Sequence, residues 1–151
     1  MTIGEIYAEH GPAVFRCLLV WSRDASIAED LTAETFYRAI VSGQTVHSLT
    51  ARGYLIVIAR NVWRKHLTRN GRESGLPPDA IAPASLSPEA RIDLQRTLKA
   101  LAALPEDLRD PLVLYAQGGL SYEEIGAQLN ISLAAVKIRI FRARQRLETY
   151  R

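Results

Sequence analysis

Apolar residues recur along this chain at three- and four-residue intervals, the spacing of one helix face, and no long stretch alternates apolar with polar as a strand would. The pattern predicts helices over residues 3–21, 27–41 and 51–69, then over 89–103, from Pro105 to the glycines at 118–119, over 122–129 and over 133–150. Ser26-Ile27-Ala28-Glu29 and Ser121-Tyr122-Glu123-Glu124 each fit a capping box, in which serine and glutamate satisfy each other's orphan N–H groups. Pro105 suits a first helical turn, whereas Pro111 lies deeper and should weaken or bend its helix. Asn130-Ile131-Ser132 reads as a tight turn, because asparagine tolerates the left-handed region, with Ser132 capping the last helix.

Residues 71–88 break the periodicity with Gly71, Gly75, Pro77, Pro78, Pro83 and Pro88. Proline removes backbone donors and glycine costs entropy, so this stretch reads as an extended linker. The predicted fold is all-α: two small helical domains, residues 1–70 and 89–151, joined by the linker. Short helix, tight turn and longer helix make the second a helix-turn-helix. Gly126 is small where its two helices must approach.

Taken by angle, the last helix has a core stripe of Val136, Ile140, Ala143 and Leu147. Opposite stand Ala134, Ile138, Phe141 and Gln145, flanked by Lys137 and Arg144 on one side and Arg139, Arg142 and Arg146 on the other. Apolar groups exposed among cations suit a major groove, where they can meet thymine methyls while the cations hold phosphates. Packing of Phe141 against the chain end or a partner protein is the alternative. In the helix after Ala51, Leu55, Ile58, Ala59, Val62 and His66 form the core stripe. Tyr54, Val57, Arg60, Asn61, Arg64 and Lys65 lie opposite. Cations beside aromatics suit strand-separated DNA, which offers phosphates and stackable bases; a solvated face with structural aromatics is the plainer reading.

Charge sharpens this picture. The chain has a net charge of only +3, so any basic surface must be local. Up to Thr50 it carries six acids (Glu5, Glu9, Asp24, Glu29, Asp30, Glu34) against Arg16, Arg23 and Arg38. Residues 60–72 hold Arg60, Arg64, Lys65, Arg69 and Arg72 with no acid, and residues 137–151 hold six cations against Glu148 alone. Two basic segments fit two contacts along one polyanion, or two solvated faces. Asp30 and Glu34, four apart, repel on one helix face, a small cost that a basic partner would relieve.

Little other chemistry is legible. One cysteine, Cys17, allows no internal disulfide, and His10, His47 and His66 lack ligand spacing, so neither metal nor cofactor is expected. No nucleophile–base pair or phosphate loop suggests an enzyme or a small-molecule substrate. Without a signal peptide or a run of about 20 apolar residues, the chain is expected in the cytoplasm rather than inserted in a membrane.

The assembled motifs resemble the extracytoplasmic function (ECF) sigma factors of bacterial RNA polymerase. Residues 27–39 (IAEDLTAETFYRA) look like the polymerase-binding helix of region 2, and residues 54–61 (YLIVIARN) like its −10 helix. Leu104-Pro105-Glu106, residues 119–125 (GLSYEEI) and residues 136–144 (VKIRIFRAR) look like region 4. The motifs stand in family order across nearly the whole chain.

The resemblance implies that Asp30, Glu34 and Tyr37 bind the clamp coiled coil of core polymerase. It implies that Tyr54, Arg60, Asn61, Arg64 and Lys65, with the loop before Ala51, hold the opened −10 strand. Lys137, Ile138, Arg139, Phe141 and Arg142 would meet the −35 duplex. Core polymerase (clamp and flap), promoter DNA and an anti-sigma factor are the implied partners, with no cofactor. The sequence departs from the family at Ala33, where glutamine is usual, at Ala134-Ala135 for glycine-threonine, at Ile138 for a common serine, and at Gly53, often a larger residue. Two other readings remain: a free-standing helix-turn-helix regulator, for which the acidic face is useless, and a sigma-like module that binds an anti-sigma factor, which needs no basic face at Arg60, Arg64 and Lys65.

Overall fold

Thr2 opens the first helix by accepting a hydrogen bond from the Glu5 backbone N–H at 3.1 Å, satisfying one of the donors a helix start leaves free. A computed structural model describes residues 2–42, 49–70 and 87–149. The described residues form helices and no strand: α1 (Ile3–Ser22), α2 (Ala25–Ser42), α3 (Ala51–Asn70), α4 (Pro88–Ala103), α5 (Glu106–Ala116), α6 (Tyr122–Leu129) and α7 (Leu133–Thr149). The linker expected over 71–88 lies outside the described residues except at Ser87, which caps α4, and at Pro88, which begins it.

The helices make two units. α1, α2 and α3 pack on one another, and α5, α6 and α7 do the same. α4 packs against α1, and α3 meets α5, so the units touch. One apolar cluster runs through the contact, from Val14, Cys17 and Leu18 of α1 through Leu55, Ile56 and Ala59 of α3 to Leu114, Ile125, Val136 and Ile140. Burial pushes the Cys17 thiol up to about 12, with Arg16 and Arg52 pulling it back only partly. Cys17 is therefore a small core residue rather than a reactive thiol.

Local signals in the second unit are realised. Ser121 accepts from the Glu124 N–H at 3.1 Å, and the Glu124 carboxylate accepts from the Ser121 N–H at 2.7 Å. Asn130 has φ 57°, and Ser132 accepts from the Ala135 N–H at 3.1 Å. A Cβ on Gly126 would stand 2.8 Å from the Ile131 carbonyl, so the turn needs glycine there. α5 continues through the buried Pro111 and closes at Gln117.

The expected start of α2 is not realised. The helix begins at Ala25, and Asp24 accepts from the Ile27 N–H at 3.2 Å, so Ser26 sits inside the first turn. Asp24 is itself steadied by the Ser22 hydroxyl, which accepts its N–H at 3.2 Å. Aspartate caps as well as serine, and this one is held in place.

Candidate nucleic-acid interface

α7 is anchored along one stripe and bare along the other. Val136, Ile140 and Ala143 are buried, and Leu147 packs partly against the same core. The opposite face leaves Ile138 49% and Phe141 61% exposed, with Lys137 and Arg142 also in the open. Burying Ile140 stabilises by about 1.5–3 kcal/mol, whereas these two half-open side chains gain much less from the fold. The Arg144 guanidinium lies 5.5 Å from the centre of the Tyr115 ring, which packs on Tyr122. Arg139 departs from its expected partners. It is half-buried and lines a cleft facing the first unit rather than the open face.

On α3 the structure divides what periodicity placed on one face. Tyr54, Asn61 and Lys65 border a hollow of about 260 Å³ against α2, with Arg38, Ser42 and Ile58. The Tyr54 and Ser42 hydroxyls lie 3.0 Å apart, and Asn61 and Lys65 are exposed. Arg60 and Arg64 turn the other way, toward α5. Arg60 donates to Asp110 at 2.9 Å, and Arg64 to Glu106 at 3.3 Å. The core stripe differs likewise. Ile56 is fully buried, and the expected Ile58 only half-buried, because α3 is covered by the second unit as well as by α1 and α2. His66 is half-buried and stacks on Trp63 with ring centres 5.6 Å apart.

On α2, Asp30 and Tyr37 are exposed, Tyr37 at 63%. The expected repulsion between Asp30 and Glu34 is eased within the helix itself, since Arg38 pairs with Glu34 at 2.8 Å one turn on. The i,i+4 spacing in the sequence carried this signal. Tyr37, Ile40 and Val41 add exposed apolar surface beside the acids. The loop expected to hold the −10 strand falls largely on residues 43–48, outside the described residues.

The two helical units correspond to two regions of the sigma-70 family. The chain matches Sigma-70 region 2 over residues 6–73 and Sigma-70, region 4 over residues 94–147. It is 34% identical to the ECF RNA polymerase sigma factor SigM of Bacillus subtilis, over 98% of this chain and 94% of that protein. It is 36% identical to the ECF RNA polymerase sigma factor SigE of Mycolicibacterium smegmatis, over 97% of this chain but 60% of that longer protein. A similar solved structure is the sigma factor RpoE of Bartonella quintana in complex with the anti-sigma factor NepR. The TM-score is 0.78 at 28% identity, covering 97% of this chain and 94% of that one. The chain belongs to the ECF sigma factors of RNA polymerase. No helix among the described residues is long and apolar enough to cross a membrane.

Proposed function

We propose that residues 1–70 dock on core RNA polymerase and hold the opened −10 strand, that residues 89–151 grip the −35 duplex, and that residues 71–88 span the two. The observation that carries this reading is α7. It exposes Ile138 and Phe141 among Lys137 and Arg142 while its opposite stripe is locked into a helix-turn-helix. Exposed apolar groups read base edges, and the cations neutralise phosphates. Arg139 joins them once it leaves the cleft. In the first unit Asp30, Glu34 and Tyr37 meet the clamp coiled coil, while Tyr54, Arg60, Asn61, Arg64 and Lys65 take the unpaired strand. The flap of polymerase receives the second unit. An anti-sigma factor is a further partner, supported by the complex in which the similar RpoE is found. The chain works in the cytoplasm and catalyses no reaction of its own. Binding energy, with no cofactor or small-molecule substrate, opens the promoter.

The test is capture of core polymerase by a chain carrying Asp30→Lys and Glu34→Lys. Capture is expected to fall at least tenfold with helix content unchanged, and undiminished capture contradicts the clamp role. For the duplex contact, Arg142→Ala should lower the salt slope of −35 binding by about 1; an unaltered slope removes Arg142 from the phosphate contacts.

A further inference from the structure

The bare face of α7 begins in its first turn and carries Ala134, Ile138 and Phe141, all exposed, directly opposite the buried stripe of Val136, Ile140 and Ala143. From Ala134 to Phe141 this strip runs about 10 Å along the helix, the rise of about three base pairs. Lys137 and Arg142 stand exposed on its two flanks, placed to hold phosphates on either side of a groove.

What the strip lacks narrows its chemistry. No asparagine or glutamine precedes Gln145 on α7, and no acid precedes Glu148. The Ser132 hydroxyl accepts the Ala135 N–H at 3.1 Å, so it is committed to the helix cap. Arg139 is half-buried in the cleft facing the first unit. Lys137 is left as the exposed hydrogen-bonding side chain of the first two turns. In the major groove, adenine presents a donor beside an acceptor, which asparagine and glutamine match. Cytosine presents an amino donor, guanine two acceptors, and thymine alone adds a methyl group. Of these features, Ala134, Ile138 and Phe141 match only the methyl. Laid over a polar base edge, they would strip it of water and leave it unpaired. Laid over a methyl, they remove apolar area from water on both partners.

We propose that α7 selects thymine by its 5-methyl group: Ile138 and Phe141, with Ala134 beside them, favour −35 duplexes that place thymines under the strip. The inference rests on the reading of α7 as the −35 helix, and adds which base is chosen and by which atoms. Ile138 is also one of the positions at which the sequence departs from the family pattern, a common serine giving way to a side chain with no hydrogen-bonding atom.

The test uses the whole chain bound to core polymerase. Linear templates share one promoter taken from mapped transcript starts and differ only in a randomised −35 window, and transcript yield at limiting holoenzyme ranks them. The best windows are then rebuilt with uracil in place of thymine, which pairs identically and lacks only the methyl. Thymine is expected to be enriched in the best windows, and uracil to lower their yield at least about threefold. Uracil in the spacer between the two elements is expected to change nothing. Where cytosine replaces a thymine of the window, 5-methylcytosine should recover part of the loss. A chain carrying Ile138→Ser and Phe141→Ala, both at exposed positions, is expected to use thymine and uracil windows equally. The comparison made with the unaltered chain decides the matter even should that variant fail to fold. Equal yields from thymine and uracil windows, or an equal penalty from uracil in the spacer, overturn the proposal while α7 keeps its place on the −35 duplex. A uracil penalty that persists in full in the double variant also overturns it, by removing these side chains from the contact. Yields indifferent to the window's sequence overturn it together with the reading of α7 as the −35 helix.

Discussion

α3 and α7 carry the same number of cations, five each, yet dispose of them in opposite ways. On α3, Arg60 and Arg64 are committed to carboxylates of α5. On α7, no cation has a carboxylate partner among the described ion pairs, and Lys137 and Arg142 stand in solvent beside Ile138 and Phe141. The difference lies in what each helix packs against. α7 sits on α5 and α6 through one stripe and leaves its far side bare, whereas α3 is clasped by its own unit on one side and by α5 on the other. Equal charge therefore does not mean equal availability, and only packing distinguishes them.

The largest effect that sharpens this contrast is within α7 itself. Ile140→Ala, in the buried stripe, should destabilise the chain by about 2–5 kcal/mol. Ile138→Ala, two residues away on the bare face, should change stability by no more than about 0.5 kcal/mol while weakening −35 binding. Thermal or urea unfolding checks both, and similar losses at the two positions would mean that Ile138 is packed. A smaller effect separates the two ion pairs of α3. A double-mutant cycle of Arg60→Ala with Asp110→Ala should give a coupling of about 1–3 kcal/mol, because Asp110 is withdrawn from water. The cycle of Arg64→Ala with Glu106→Ala should give about 0.2–1 kcal/mol, since both side chains are 54% exposed, and should shrink further in salt. Equal couplings would show that withdrawal of Asp110 from water does not strengthen its pair. Smaller still, Ser121→Ala should cost about 1 kcal/mol by removing one half of the α6 capping box, read by the same unfolding measurement.

The second unit was the more legible in sequence, and the reason is physical. Asn130, Ser121, Ser132 and Gly126 act on backbone within a few residues of themselves, so their chemistry is local and spacing reveals it. The α7 stripe follows from one period because that helix packs on one side only. At the start of α2 two local solutions compete, and Asp24 displaces Ser26 because Ser22 braces it, a contact that spacing alone does not rank. α3 was the least legible. Its core membership at Ile56, its bare backbone at Gly53 and the inward turn of Arg60 all depend on residues about fifty or more positions away in α5 and the glycine turn, and no periodicity within α3 encodes a contact with them. The basic face was read correctly as basic; its division into a free half and a clasped half is a tertiary property.

The most direct measurement of the account is transcription reconstituted with core polymerase and this chain on genomic DNA, with the transcript starts mapped. Starts preceded by shared −10 and −35 elements are predicted, and both Arg60→Ala with Arg64→Ala and Arg139→Ala with Arg142→Ala should reduce them, as the proposed contacts of α3 and α7 with promoter DNA require. Transcripts no more abundant than from core polymerase alone, or insensitive to both pairs of substitutions, would contradict it.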